Sequence, residues 1–281
     1  MDQMLTLKHV DVLPAAKIGS IISGVIGLIT GVLVFIFSSL FSVAFHGPHS
    51  LAVFGVGAAS IIVLPIALLI VGFVCTAIEA WLYNIVANKI GGVKVDLTKN
   101  RLNRIDPSSM AKIYAVCGLI VGFVIGLVIS IVSVFASVFA GPYALVGIAA
   151  VVIVPLLFAV CGFIFIYIVA LLYNYIATKI GGVAIWLKAR EVKKVGPLSY
   201  AKIEGTISVI FGIIAGIINA AVSIAATGTV LPVAGIGLGI LAIILYPIFY
   251  FVIGFISTLF TAWLYNKLVP KIGAIKVTLS K

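Results

Sequence analysis

Two short strings recur at a nearly fixed interval along this chain. Ala-Lys-Ile stands at Ala16, Ala111 and Ala201, and Leu-Tyr-Asn at Leu82, Leu172 and Leu264. The steps are 95 and 90 residues for the first string, 90 and 92 for the second. A shared period in two separate markers signals one structural unit copied in tandem, which restricts the chain to folds assembled from three like parts. The copies run approximately over residues 1–97, 98–187 and 188–281 of a single membrane domain.

Charge decides what surrounds those parts. Only 9% of the residues are charged and 64% are hydrophobic, where a soluble domain carries about 25% charge. No Asp, Glu, Lys or Arg occurs in Ile18–Ile78, Ile113–Thr178 or Gly205–Asn266, stretches of 61, 66 and 62 residues. About 20 apolar residues span a bilayer core, so each stretch holds two crossings. The expected fold is an α-helical integral membrane protein with six transmembrane helices, two per repeat, in pseudo-threefold symmetry.

All 18 Lys and Arg lie in residues 1–17, 89–112, 179–202 and 267–281. The short loops Phe45–Ser50, Ser137–Tyr143 and Ala225–Leu231 carry none. The positive-inside rule then puts both termini and both long connections in the cytoplasm of a multi-pass plasma-membrane protein. Lys8 and Lys17 precede an apolar run, as in a signal peptide. That run is too long for an h-region, so the first helix is expected to be retained.

Within each copy the first helix is expected to begin at Lys17, Lys112 or Lys202. Ten and fourteen residues later come Gly27 and Gly31, Gly122 and Gly126, Gly212 and Gly216. Glycines one turn apart share a helix face and let a neighbouring backbone approach, which is how helices associate in lipid. A conduit lined by these glycines is the alternative. The second helix carries Pro65, Pro155 and Pro247, each followed after eighteen residues by Tyr83, Tyr173 or Tyr265, then by Asn84, Asn174 or Asn266, and by Lys89, Lys179 or Lys271. The tyrosines and lysines read as interface anchors. The asparagines either cap backbone groups or bond across helices, or meet as a polar ring. Leu51–Ile90 would make about 60 Å of helix, twice the hydrocarbon thickness. Either 51–64 is a separate re-entrant or interfacial piece and Pro65 starts a new helix, or one long helix kinks at proline.

After Gly91-Gly92 and Gly181-Gly182 the pattern changes to period two, with Val93, Val95 and Leu97 and then Val183, Ile185 and Leu187. This signals short strands, and a second strand follows each first one to make a hairpin. Ile275, Val277 and Leu279 supply a lone first strand, and Leu7 and Val10 a lone second strand. Residues 1–12 are therefore expected to pair with 273–281, closing a third hairpin and a ring.

Little in the chain can perform chemistry. Glu79 is the one acid expected inside the membrane helices, with Val169 and Thr261 at the matching positions. An intramembrane acid is a functional candidate by default, though Glu79 lies near the interface, where its cost is low. Its roles divide between a structural or partner contact and proton or ion movement. His46 and His49 flank Gly47-Pro48 but lack the further ligands a closed zinc site needs. Cys75, Cys117 and Cys161 form neither a metal spacing nor a disulfide framework. No Walker motif, carboxylate pair or dinucleotide fingerprint is present, so neither enzyme activity nor a cofactor or metal is expected. The basic segments suit anionic lipid headgroups; they are too short and too poor in aromatics for nucleic acid.

The stretch Leu172-Tyr173-Asn174, Gly181-Gly182-Val183-Ala184-Ile185-Trp186-Leu187 and Val195-Gly196-Pro197-Leu198-Ser199-Tyr200-Ala201-Lys202-Ile203 resembles an uncharacterised family of actinobacterial two-helix transmembrane domains of unknown function. Repeat one departs from it at Val12-Leu13 and repeat three at Gly273-Ala274. The resemblance implies no activity. It does imply that a single unit assembles as a homo-oligomer, here fused in one chain. Taken together, the residues suggest a non-enzymatic membrane scaffold or accessory protein with a small basic cytoplasmic β cap, partnered by lipid, by a membrane protein or by further copies. The alternative is a small channel or transporter with a path on the pseudo-threefold axis.

Overall fold

The computed structural model of the chain describes residues 4–44, 50–140, 144–227 and 232–280. The chain runs β1 (Leu5–Val10), α1 (Val12–Ala44), α2 (Ser50–Ile90), β2 (Val93–Thr98), β3 (Arg101–Ile105), α3 (Pro107–Ala140), α4 (Ala144–Ile180), β4 (Val183–Lys188), β5 (Glu191–Val195), α5 (Pro197–Thr227), α6 (Pro232–Ile272) and β6 (Val277–Ser280). The protein is an α-helical membrane protein whose six helices are long and apolar enough to cross a bilayer.

The first helix of each pair starts five residues before the lysine at which the sequence places it, at Val12, Pro107 and Pro197. Capping explains the difference. The carbonyls of Asp11, Asp106 and Gly196 accept the first helical bonds, from Ala15, Met110 and Tyr200. Asp106 adds a side-chain cap, its Oδ2 accepting from the Ser109 amide at 2.9 Å, and proline at the first helical position loses no bond. Glu204, two residues past Lys202, also lies in α5, so Glu79 is not the one acid on these helices.

Of the two arrangements open for residues 51–64, the structure has the continuous one. Helix α2 runs 41 residues through Pro65, α4 runs 37 through Pro155 and α6 runs 41 through Pro247. The helix partner makes this tolerable. A side chain at Gly27, Gly122 or Gly212 would come within 2.9, 2.7 or 2.6 Å of the Cα of Pro65, Pro155 or Pro247. One turn on, Gly31, Gly126 and Gly216 abut the carbonyls of Ser60, Ala150 and Ala242. The pairing runs in opposite directions along the two helices, so each pair is an antiparallel hairpin laid backbone on backbone across the turn that proline weakens. All six glycines are buried, whereas residues 61–79 of α2 include none that is buried. Large apolar side chains such as Leu40, Ile62 and Ile70 are exposed, as suits a lipid-facing surface.

The strands gather at one end in a single antiparallel sheet of order β5-β4-β3-β2-β1-β6. Chain neighbours β2–β3 and β4–β5 are joined by two-residue turns in which Lys99 and Asn100, and Ala189 and Arg190, all take positive φ. That is the turn whose twist matches paired strands. The N- and C-terminal strands pair too, with Thr6 opposite Ser280 and Val10 opposite Val277. The two edges then meet at a bridge between Glu191 and Lys276, with Val192 donating to Ile275 O and Val277 to Arg190 O. The sheet thus curls until its edges touch.

Each α2-type helix stops at a glycine in the left-handed region, Gly91, Gly181 or Gly273, which donates back to Ala87, Ala177 or Val269. The following residue sets how closely the next strand can approach. Gly92 lies against the Leu7 carbonyl and Gly182 against that of Leu102. The third copy has Ala274, 3% exposed, and there only a bridge forms instead of a ladder. A Cβ at Gly92 or Gly182 would collide with the strand carbonyl beside it, so alanine at this place requires the strand to stand farther off. Gly92→Ala is therefore expected to weaken the β1–β2 seam and destabilise the protein by about 1–3 kcal/mol, whereas Ala274→Gly changes stability by about 1 kcal/mol or less. Unfolding in detergent, followed by circular dichroism, measures both.

Candidate functional site

The recurring strings meet in space at three junctions beneath the sheet. Ile18, Ile113 and Ile203 are among the most completely buried side chains, and Ala16, Ala111 and Ala201 have no exposed surface. Ile113 packs with Leu82 and Val86 of α2, Ile203 with Tyr173 and Ile176 of α4, and Ile18 with Tyr265 and Val269 of α6. The start of each first helix is thereby keyed into the end of the second helix of a neighbouring pair. The lysine between each alanine and isoleucine is exposed.

Asn84, Asn174 and Asn266 each act as a surrogate strand. The Val10 amide donates to Asn84 Oδ1 at 2.9 Å, and Asn84 Nδ2 donates to Val10 O at 2.8 Å. Asn174 holds Ile105 by the same two bonds, at 2.9 and 2.8 Å, and Asn266 holds Val195 at 2.9 and 2.7 Å. The three amides share a kind of backbone partner and are not joined in a polar ring: each is committed to a different strand residue.

The tyrosines complete the joint. Tyr83 donates to Leu7 O at 2.6 Å and accepts from the Val93 amide at 3.2 Å. Tyr173 donates to Leu102 O at 2.5 Å and accepts from Val183 at 3.3 Å. Tyr265 donates to Val192 O at 2.5 Å, with the Ile275 backbone as its second partner. Each phenol therefore bridges the strand before its helix pair and the strand after it. Tyr173 and Tyr265 are buried, while Lys89, Lys179 and Lys271 stand exposed on the last helical turns.

Glu79 is exposed. It borders a cavity of about 400 Å³ shared with Tyr114, Cys117, Phe158 and Gly162, between α2 and the next helix pair. Among the described residues no group of acids, histidines and cysteines is placed to hold a metal. His46 and His49 lie outside the described residues.

Three features escape the sequence reading. Ser109 and Ser199 accept the strand amides of Lys94 and Ala184, both at 2.9 Å. Glu191 pairs with Lys193 and, at 3.9 Å, with Lys276, so the sheet's closing bridge is also an ion pair. A polar cavity opens beside the β1–β2 pair, bordered by Lys8, Lys94 and Lys112. The matching lysines in the repeats are the signal for the last two.

The hydrogen bond from Lys193, helped by the charge of Lys276, holds the Glu191 carboxyl below its usual range. A lowered carboxylate pKa adds stability above the unfolded-state value and loses it as pH falls through the folded one. Protection from amide exchange at Val192 and Val277, each rate taken relative to its intrinsic rate, is thus expected to fall on acidification past the carboxylate range, a response that Glu191→Gln removes. Asn174→Leu strands both polar groups of Ile105 and should cost about 2–5 kcal/mol in unfolding measurements. The chain matches no protein-family model, and no curated protein or solved structure proved significantly similar to it, so the functional reading rests on this geometry.

Proposed function

We propose that the protein is a non-enzymatic membrane scaffold or accessory protein of the plasma membrane. Three like β-α-α-β units are arranged about a pseudo-threefold axis, both termini are cytoplasmic, and a small basic β cap faces the anionic headgroups. One observation carries this reading. The uncharged polar side chains that recur three times, the tyrosines and asparagines, are committed to strand backbone, and the recurring glycines to helix backbone. What the copies share is a frame, with no repeated uncharged polar group among the described residues left to line a path. Such a frame presents its cap and its lipid-facing helices to a membrane-protein partner or to further copies.

A channel or transporter is the second reading, favoured by the placement of Glu79 on an open cavity between helix pairs. Reconstitution of the full chain in liposomes separates the two. The scaffold reading expects proton and cation flux no greater than in protein-free vesicles, for the wild type and Glu79→Gln alike. Flux that the wild type supports and Glu79→Gln abolishes would establish the second reading.

A further inference from the structure

We infer that the seam between β1 and β2 holds a phosphate group, as the anionic headgroup of a lipid or as free phosphate. Three positions coincide in the sheet. Thr6 lies opposite Lys94 in the first seam, Arg101 opposite Ala184 in the second, and Glu191 opposite Lys276 in the third. A bulge residue comes two positions on. The register shifts at Lys8 between Leu7 and His9, and the β2–β3 and β4–β5 hairpins shift at matching places, skipping Asn103 and Lys193. Bulges re-aim a side chain, and the one at Lys193 brings its ammonium onto Glu191.

The seams differ in how the charge between the strands is met. In the third, Lys193 and Lys276 are neutralised by the Glu191 carboxylate. In the second, Ala184 and Asn103 leave no such cation pair, and Arg101 Nη1 turns to Gly182 O at 3.5 Å. In the first, Lys8 and Lys94 take the places of Lys193 and Lys276, but threonine replaces the glutamate. Neither lysine has an acidic partner among the described residues, and Lys112 joins them from the first turns of α3. The chain has kept the cations of a charge-paired seam and left out the anion.

A space for that anion is present. A cavity of about 320 Å³ is lined by Thr6, Lys8, Lys94, Ser108, Lys112 and Ser280. Ser280 is one of its lining residues, and its buried Oγ has no hydrogen-bond partner. Asp106 also borders the space, its carboxylate accepting from the Ser109 amide, so three lysines and one acid line it. Phosphate, with several acceptor oxygens, suits convergent ammonium and hydroxyl donors. The site deepens the reading of the sheet as a headgroup-facing cap and rests on that reading only for a lipid source.

The test uses the substitution that copies the third seam into the first. The full chain in neutral detergent is titrated with dioctanoyl phosphatidylglycerol, dioctanoyl phosphatidylcholine and sodium phosphate at fixed ionic strength, with binding read by calorimetry. The wild type is expected to bind an anionic probe, and Thr6→Glu to weaken that binding about tenfold or more while the melting temperature stays level or rises. If Thr6→Glu does not fold, Lys94→Gln and Lys8→Gln decide by the same loss. Binding of phosphatidylglycerol but not sodium phosphate identifies a lipid site; binding of both identifies phosphate itself. Absence of anionic binding in the wild type overturns the inference. So does equal binding of phosphatidylcholine, or binding that the folded variants retain. The flux experiment is independent of all these outcomes.

Discussion

Everything at the sheet end depends on one joint, the pair of hydrogen bonds between a helix asparagine and the strand that precedes its helix pair. Asn84 offers an amide with the same donor and acceptor as a peptide, and Val10 pairs with it as with a neighbouring strand. Val10 is also the last residue of β1 and stands two before α1 begins. One side chain therefore fixes the end of a strand, the start of the first helix and the end of the second. Tyr83 adds the strand that follows. Backbone polar groups close to an apolar layer must be satisfied, and here the helix that passes them does it.

Away from that joint the fold relies on close approach rather than on a core. In lipid there is no hydrophobic gain from putting leucine against leucine, so helices associate where backbones touch. Glycine on the first helix and proline on the second make this possible in every pair. Proline removes one helical hydrogen bond, and glycine allows the partner backbone to pack over the weakened turn. The exposed faces on either side of these contacts are apolar, and their natural partner is the acyl chain.

The three helix pairs are alike where they are joined and differ in charge along the sheet seams. Alanine-lysine-isoleucine and leucine-tyrosine-asparagine recur where each alanine is fully buried and each isoleucine, tyrosine and asparagine has its partner in the junction. Positions 6, 101 and 191 differ in charge entirely, as threonine, arginine and glutamate, although they occupy one place in the sheet register. Distinct behaviour of the three seams follows from those side chains and from alanine at 274.

Much of this architecture was legible in the chain itself. Charge-free stretches marked the helices, the double glycines marked the change to strands, and a lone strand pattern at each terminus pointed to pairing of the ends. Those signals are local, because each reports the environment of its own segment. The first helix of each pair starts five residues ahead of its lysine because the caps, Asp11, Asp106 and Gly196, lie outside the apolar run. The continuity of α2 through Pro65 was undecidable from the chain, since it depends on Gly27 lying opposite. The partners of Asn84, Asn174 and Asn266 were equally hidden, because polarity reveals that a bond is needed and not where it goes. Sequence alone determined the number of elements and their kind, through periodicity and charge; only the tertiary structure decided which polar groups meet, because those contacts join residues some seventy positions apart.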